Sequence, residues 1–129
     1  MSIFRQLFNA PPAIDVREVT TDATPFVVGS IDVSEGETVL VYVKGSCHND
    51  ADITKSASFV AMRTIYRAAA GNVTALHDQH DIANYAADGF APDITIVPNT
   101  GTQRVDVTIT GVAATTINWK VRIEHVSVS

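Results

Sequence analysis

Val105-Asp106-Val107-Thr108-Ile109-Thr110 and Ile117-Asn118-Trp119-Lys120-Val121-Arg122-Ile123 decide the fold. In each, apolar and polar residues alternate without a break. A period of two puts Val105, Val107 and Ile109 on one side of an extended chain, with Asp106, Thr108 and Thr110 on the other. Such alternation belongs to a strand with one face on a core and one in water. After Ile123 the apolar residues slip by one position, to Val126 and Val128, which predicts a β-bulge near Glu124 and His125.

The same period recurs upstream. Val39, Val41 and Val43 alternate with Thr38, Leu40, Tyr42 and Lys44. Further strands are expected at about 14–20, 25–33, 57–68, 72–78, 81–86 and 92–97. Turn residues stand between them: Ser34-Glu35-Gly36, Ala70-Gly71-Asn72, Asn99-Thr100-Gly101, and the small residues of Gly111 to Thr115. In the run from Ser58 to Ala70, Ala and Met would suit a helix, but Phe59, Val60, Thr64, Ile65 and Tyr66 favour a strand. Eight or nine short strands predict an all-β fold, an antiparallel β-sandwich of jelly-roll type.

A length of 129 residues fits one domain, here the β-sandwich over residues 13–129, preceded by a distinct N-terminal arm over 1–12. The arm carries Ile3, Phe4, Leu7 and Phe8, and Pro11-Pro12 closes it off from the first strand. These four side chains are the candidate docking residues, for a neighbouring subunit or for the domain's own core. The first twelve residues have no continuous apolar stretch of signal-peptide type, which predicts synthesis in the cytoplasm without export by that route.

Nine Lys and Arg against fourteen Asp and Glu give a net charge of −5. That balance speaks against nucleic acid and against an anionic membrane surface as partners. Only 18% of residues are charged, which leaves much of the surface to small neutral side chains, as in a module that packs into an assembly. The single cysteine, Cys47, permits neither an intrachain disulfide nor a cysteine zinc cage and reads as a small core residue.

Two polar clusters could hold ligands. In His77-Asp78-Gln79-His80-Asp81 the imidazoles and carboxylates are metal-ligand types, but a separation of three puts His77 and His80 on opposite faces of a strand. His48-Asn49-Asp50-Ala51-Asp52 offers alternating oxygens, without the Gly and distal Glu of a calcium loop. Both read as polar loops or edges, so no metal and no cofactor is expected. Hydrolase, nucleotide and zinc-protease motifs are missing, and the chain is read as a non-enzyme with no catalytic residues. Trp119 shares its phase with Ile117, Val121 and Ile123 and is expected in the core. Phe90 and Tyr85 remain as candidate exposed aromatics for a carbohydrate-binding reading.

The segment from Val105 through Gly111 and Thr116-Ile117-Asn118-Trp119 to Val121 resembles a motif of small β-sandwich virion proteins of tailed bacteriophages. The hairpin Tyr66 to Thr74, with Gly71-Asn72-Val73-Thr74, is similar to that group as well. The resemblance covers about residues 25–129. It implies a structural virion protein: a capsid decoration or cement protein bound to the major capsid protein and to copies of itself as a homotrimer on the capsid surface. A tail or tail-fibre component is the alternative, and a carbohydrate- or cation-binding module at the His77–Asp81 or His48–Asp52 loops is another.

Overall fold

The alternation decides which side chains meet. In the computed structural model, which describes residues 13–129, nine strands form: β1 Ala13–Thr20, β2 Phe26–Asp32, β3 Glu37–Asn49, β4 Ser56–Arg67, β5 Thr74–Ala75, β6 His80–Ala86, β7 Asp93–Asn99, β8 Arg104–Thr110 and β9 Ile117–Val128. All pairings are antiparallel. A wide sheet runs β1-β9-β3-β4, with β5 and β6 sharing the far side of β4; a narrow sheet runs β2-β8-β7. The expected antiparallel β-sandwich is the fold observed.

The inner face of the wide sheet carries Val39, Val41, Val43, Ile65, Val121 and Ile123, and the narrow sheet answers with Ile94, Ile96, Val105, Val107 and Ile109; all are at most 1% exposed. Each such burial contributes roughly 1.5–3 kcal/mol before ordering costs. At one end of the core Phe59 of β4 and Trp119 of β9 stack across β3, with centroids 6.1 Å apart. They can meet because β3 carries only Gly45 and Cys47 beneath them, opposite Phe59 and Trp119 respectively. A Cβ on Gly45 would stand 2.5 Å from Cδ1 of Ile94, so the glycine also lets the narrow sheet approach.

Side-chain amides finish the sheets where backbone partners run out. Gln79 accepts from the N–H of Ile96 at 2.7 Å and donates to the carbonyl of Ile94 at 3.0 Å, acting as a strand partner for the edge of β7. Gln103 does the same for the N–H of Val73 at 2.9 Å. Arg63 points inward from β4 and donates to the carbonyls of His77 and Ile96 at 2.9 and 2.8 Å. These bonds tie the margins of the two sheets together without apolar contact.

Two expectations need correction. The bulge near Glu124 and His125 does not form: β9 stays in unbroken register with β3 from Ile117 to Val128. The apolar slip instead marks a change of face, since Val126 and Val128 point outward and His125 inward. The irregular pairings lie between Val27 and Gly29 in β2, and opposite the Val60–Ala61 step of β4. The strand expected at about 72–78 is only the two residues of β5. The arm of residues 1–12, with Ile3, Phe4, Leu7 and Phe8, lies outside the described residues.

Candidate functional site

The sequence-predicted polar clusters come first. His77 lies in a bend between β5 and β6, not on a strand. Its Nε2 accepts from the backbone N–H of Thr64 at 3.0 Å, so the proton is on Nδ1, which donates to the carbonyl of Asp78 at 2.6 Å. Both ring nitrogens are thereby engaged with backbone. His80 begins β6 and faces outward beside Met62. The cluster is a clamp between β4 and β7, built on His77, Gln79 and Arg63.

The His48–Asp52 loop is held by its own oxygens. Asn49 accepts from the N–H of Ala51 at 2.8 Å, Asp52 from the N–H and hydroxyl of Thr54 at 3.1 and 2.6 Å, and Asp50 from the amide of Asn118 at 2.8 Å. The bonds from Thr54 hold the Asp52 carboxyl below the usual carboxylate range. Among the described residues no three His, Cys, Asp or Glu side chains gather as metal ligands.

Trp119 is 3% exposed, as its phase requires. Its indole N–H donates to Oγ1 of Thr20 at 2.9 Å. Cys47 is buried, and desolvation pushes its thiol up to about 12. Of the two candidate aromatics, Phe90 is 6% exposed and part of the core, whereas Tyr85 is 73% exposed on β6.

What the sequence did not single out is the outer face of the wide sheet. At one end it is apolar. Leu40 lies opposite Val126, Thr38 opposite both Val128 and Tyr66, and Tyr42 opposite Met62. Val126 is 60% and Val128 69% exposed, with Leu40 and Tyr42 half-buried between them and β4. A shallow hollow of about 260 Å³ lies among Leu40, Tyr42, Glu124 and Val126. Exposed apolar residues scattered singly need no account, but here they form a contiguous strip that no other described residue covers. The chain enters the sheet beside this strip, because Ala13 pairs with Glu124 and β1 runs antiparallel to β9. The signal for the strip was the phase slip at Val126 and Val128, whose meaning depends on whether the register is kept.

No family model matches the chain, and no curated protein does. Two solved structures are similar in part. One is the tailspike protein of Acinetobacter baumannii phage AM24, with a TM-score of 0.49 and 9% identity over 88% of this chain. The other is a tailspike of Acinetobacter baumannii bacteriophage Fri1, described as a capsular polysaccharide depolymerase, with a TM-score of 0.42 and 12% identity over 95% of this chain. The chain spans 26% of the first protein and 21% of the second.

Proposed function

We propose that the chain is a structural protein of a phage virion, seated by protein–protein contact and without catalytic activity of its own. The observation that carries this reading is the apolar strip of Leu40, Tyr42, Val126 and Val128 on a sheet face that nothing in the chain's described residues covers. The resemblance of residues 105–121 to phage virion sandwiches supports the same reading. The apolar residues Ile3, Phe4, Leu7 and Phe8 of the N-terminal segment are the other candidate docking residues under this reading.

Two seats suit such a module. On the head it would cement the major capsid protein, three copies to a threefold site. On the tail it would be one part of a larger fibre or spike assembly. Gold labelling of an affinity tag at Ser129 on assembled particles separates the two. Label on neither head nor tail would end the virion reading. Removal of Met1 to Ala10 is expected to leave the sandwich folded and its melt nearly intact, while incorporation into particles falls steeply. A marked drop in melting temperature would make the segment a cover for its own domain instead.

A further inference from the structure

The other end of the same outer face has a different chemistry. The ladder registers place Arg17 of β1 opposite Lys120 of β9, Lys120 opposite Ser46 of β3, Ser46 opposite Ser58 of β4, and Ser58 opposite Tyr85 of β6. Five residues from five strands thus form one straight row, two cations, two hydroxyls and an aromatic ring. At about 4.8 Å per strand the row is roughly 19 Å long. Hollows of about 370 and 320 Å³ lie along it, the first lined by Arg17, Lys120, Ser46 and Ser58, the second by Ser58 and Tyr85.

The cationic end is costly as it stands. Like charges directly opposite each other on neighbouring strands destabilise a sheet. Among the described residues neither Arg17 nor Lys120 makes an ion pair, whereas Arg122 in the next row is held by Asp15 and Glu124 at 3.0 and 2.8 Å. In a chain of net charge −5, four of the nine Lys and Arg stand here: Arg17, Lys44, Lys120 and Arg122. The hydroxyls of Ser46 and Ser58 stand at exposed positions, and each can donate one bond and accept two. An anion between Arg17 and Lys120 would remove the repulsion.

We propose that this row binds an acidic glycan, a sugar chain bearing carboxylates. Arg17 grips a carboxylate with two N–H groups while Lys120 adds a point charge from the neighbouring strand. Ser46 and Ser58 exchange hydrogen bonds with sugar hydroxyls. Tyr85, 73% exposed, offers its ring to the C–H face of a pyranose further along the chain. The flat spacing of the row suits an extended ligand lying across the strands. An acidic peptide would use the cations but would leave the two hydroxyls and the ring without a matching role. A polyphosphate would use the cations but, like the peptide, would leave the ring of Tyr85 without a matching role.

The test uses the full chain, with backbone amide shifts followed by NMR and affinities by calorimetry. The probes are oligogalacturonate, alginate, hyaluronate and oligosialate, with neutral galactan and poly-L-glutamate as controls. At least one acidic glycan is expected to bind, with shifts confined to the row. Arg17→Gln and Tyr85→Ala should each weaken it about tenfold, the equivalent of about 1.4 kcal/mol. Arg17→Gln should leave the melting temperature unchanged or raise it, because it relieves the opposed charges; a fall would mean that Arg17 is structural. Binding by none of the four glycans overturns the proposal. So does poly-L-glutamate binding that is as tight and indifferent to Tyr85→Ala, which would make the row a site for acidic protein segments.

Discussion

The indole N–H of Trp119 donates to the hydroxyl of Thr20 at 2.9 Å inside the core, joining the end of β1 to the start of β9. Thr20 is the one buried polar side chain among the described residues. Its hydroxyl has a partner that cannot be supplied by water. Thr20→Val keeps the shape and leaves the indole N–H buried and unpaired, at a cost of about 1–3 kcal/mol. Trp119→Ala also empties the stack on Phe59 and should cost about 3–5 kcal/mol. Urea melts of both variants measure this. A loss below about 1 kcal/mol for Trp119→Ala would mean an exposed ring.

Two glycines should respond differently to the same substitution. At Gly111 a Cβ would lie 2.5 Å from Oγ1 of Thr20 and 2.6 Å from the carbonyl oxygen of Asp22, which is backbone and cannot swing away. At Gly45 the one close approach is to the methyl end of Ile94 at 2.5 Å, while Val121 and the carbonyl oxygen of Lys120 stand at ordinary contact, 3.6 and 3.7 Å. Gly111→Ala should therefore cost at least the usual overpacking penalty of about 1–3 kcal/mol, and Gly45→Ala less. Equal losses in thermal melts would contradict this ordering.

Cys47 gives a pH prediction. Burial raises the thiol from 9.0 to about 12, so the folded state holds the proton more tightly than the unfolded chain. The stabilising contribution of the neutral thiol is complete below pH 9. It is lost as the pH climbs from about 9 towards 12, by up to about 1.4 kcal/mol per pH unit. Cys47→Ala should flatten that part of the stability curve. The native thiol should resist iodoacetamide at pH 8 and react once urea unfolds the chain.

The apolar strip is tested by charge. Val126→Glu with Val128→Glu alters two exposed positions and should change stability by no more than about 0.5 kcal/mol each. Sedimentation of the purified protein and incorporation into particles should both fall. Undiminished association would remove the strip from the proposed interface.

Much of this fold was legible because a half-buried strand writes its two faces into alternate residues. That is why Val105–Ile109, Val39–Val43 and Ile117–Ile123 fixed the core. The reading failed where the covered face changes along one strand. Past Ile123 the inward positions of β9 are His125 and Ser127, at the margin of the wide sheet, and the apolar residues move outward with no change of register. Periodicity alone cannot tell that from a bulge. Beyond Gly45, β3 runs on to Asn49 through Ser46, Cys47 and His48, whose place follows from pairing, not from an apolar pattern. The row from Arg17 to Tyr85 was invisible for the same reason. It exists only when five strands are laid in register, and its members, from Arg17 to Lys120, are 103 positions apart along the chain at the extremes. The His77–Asp81 cluster was legible as polar, but its task of fastening β4 to β7 needs the bend that only the folded chain shows.

The side-by-side placement of β1 and β9 also decides how the module meets a pull. Ala13 and Val128 leave at the same end, so tension applied to both termini opens the pair from that end. Ladder bonds lie across the strands and would break one after another, as in a zipper, instead of sharing the force in shear. A tether through one terminus and the sheet face would spare that seam. Mechanical strength in this protein therefore depends on where it is held, and an anchorage on the wide sheet makes it tougher than its two ends alone would allow.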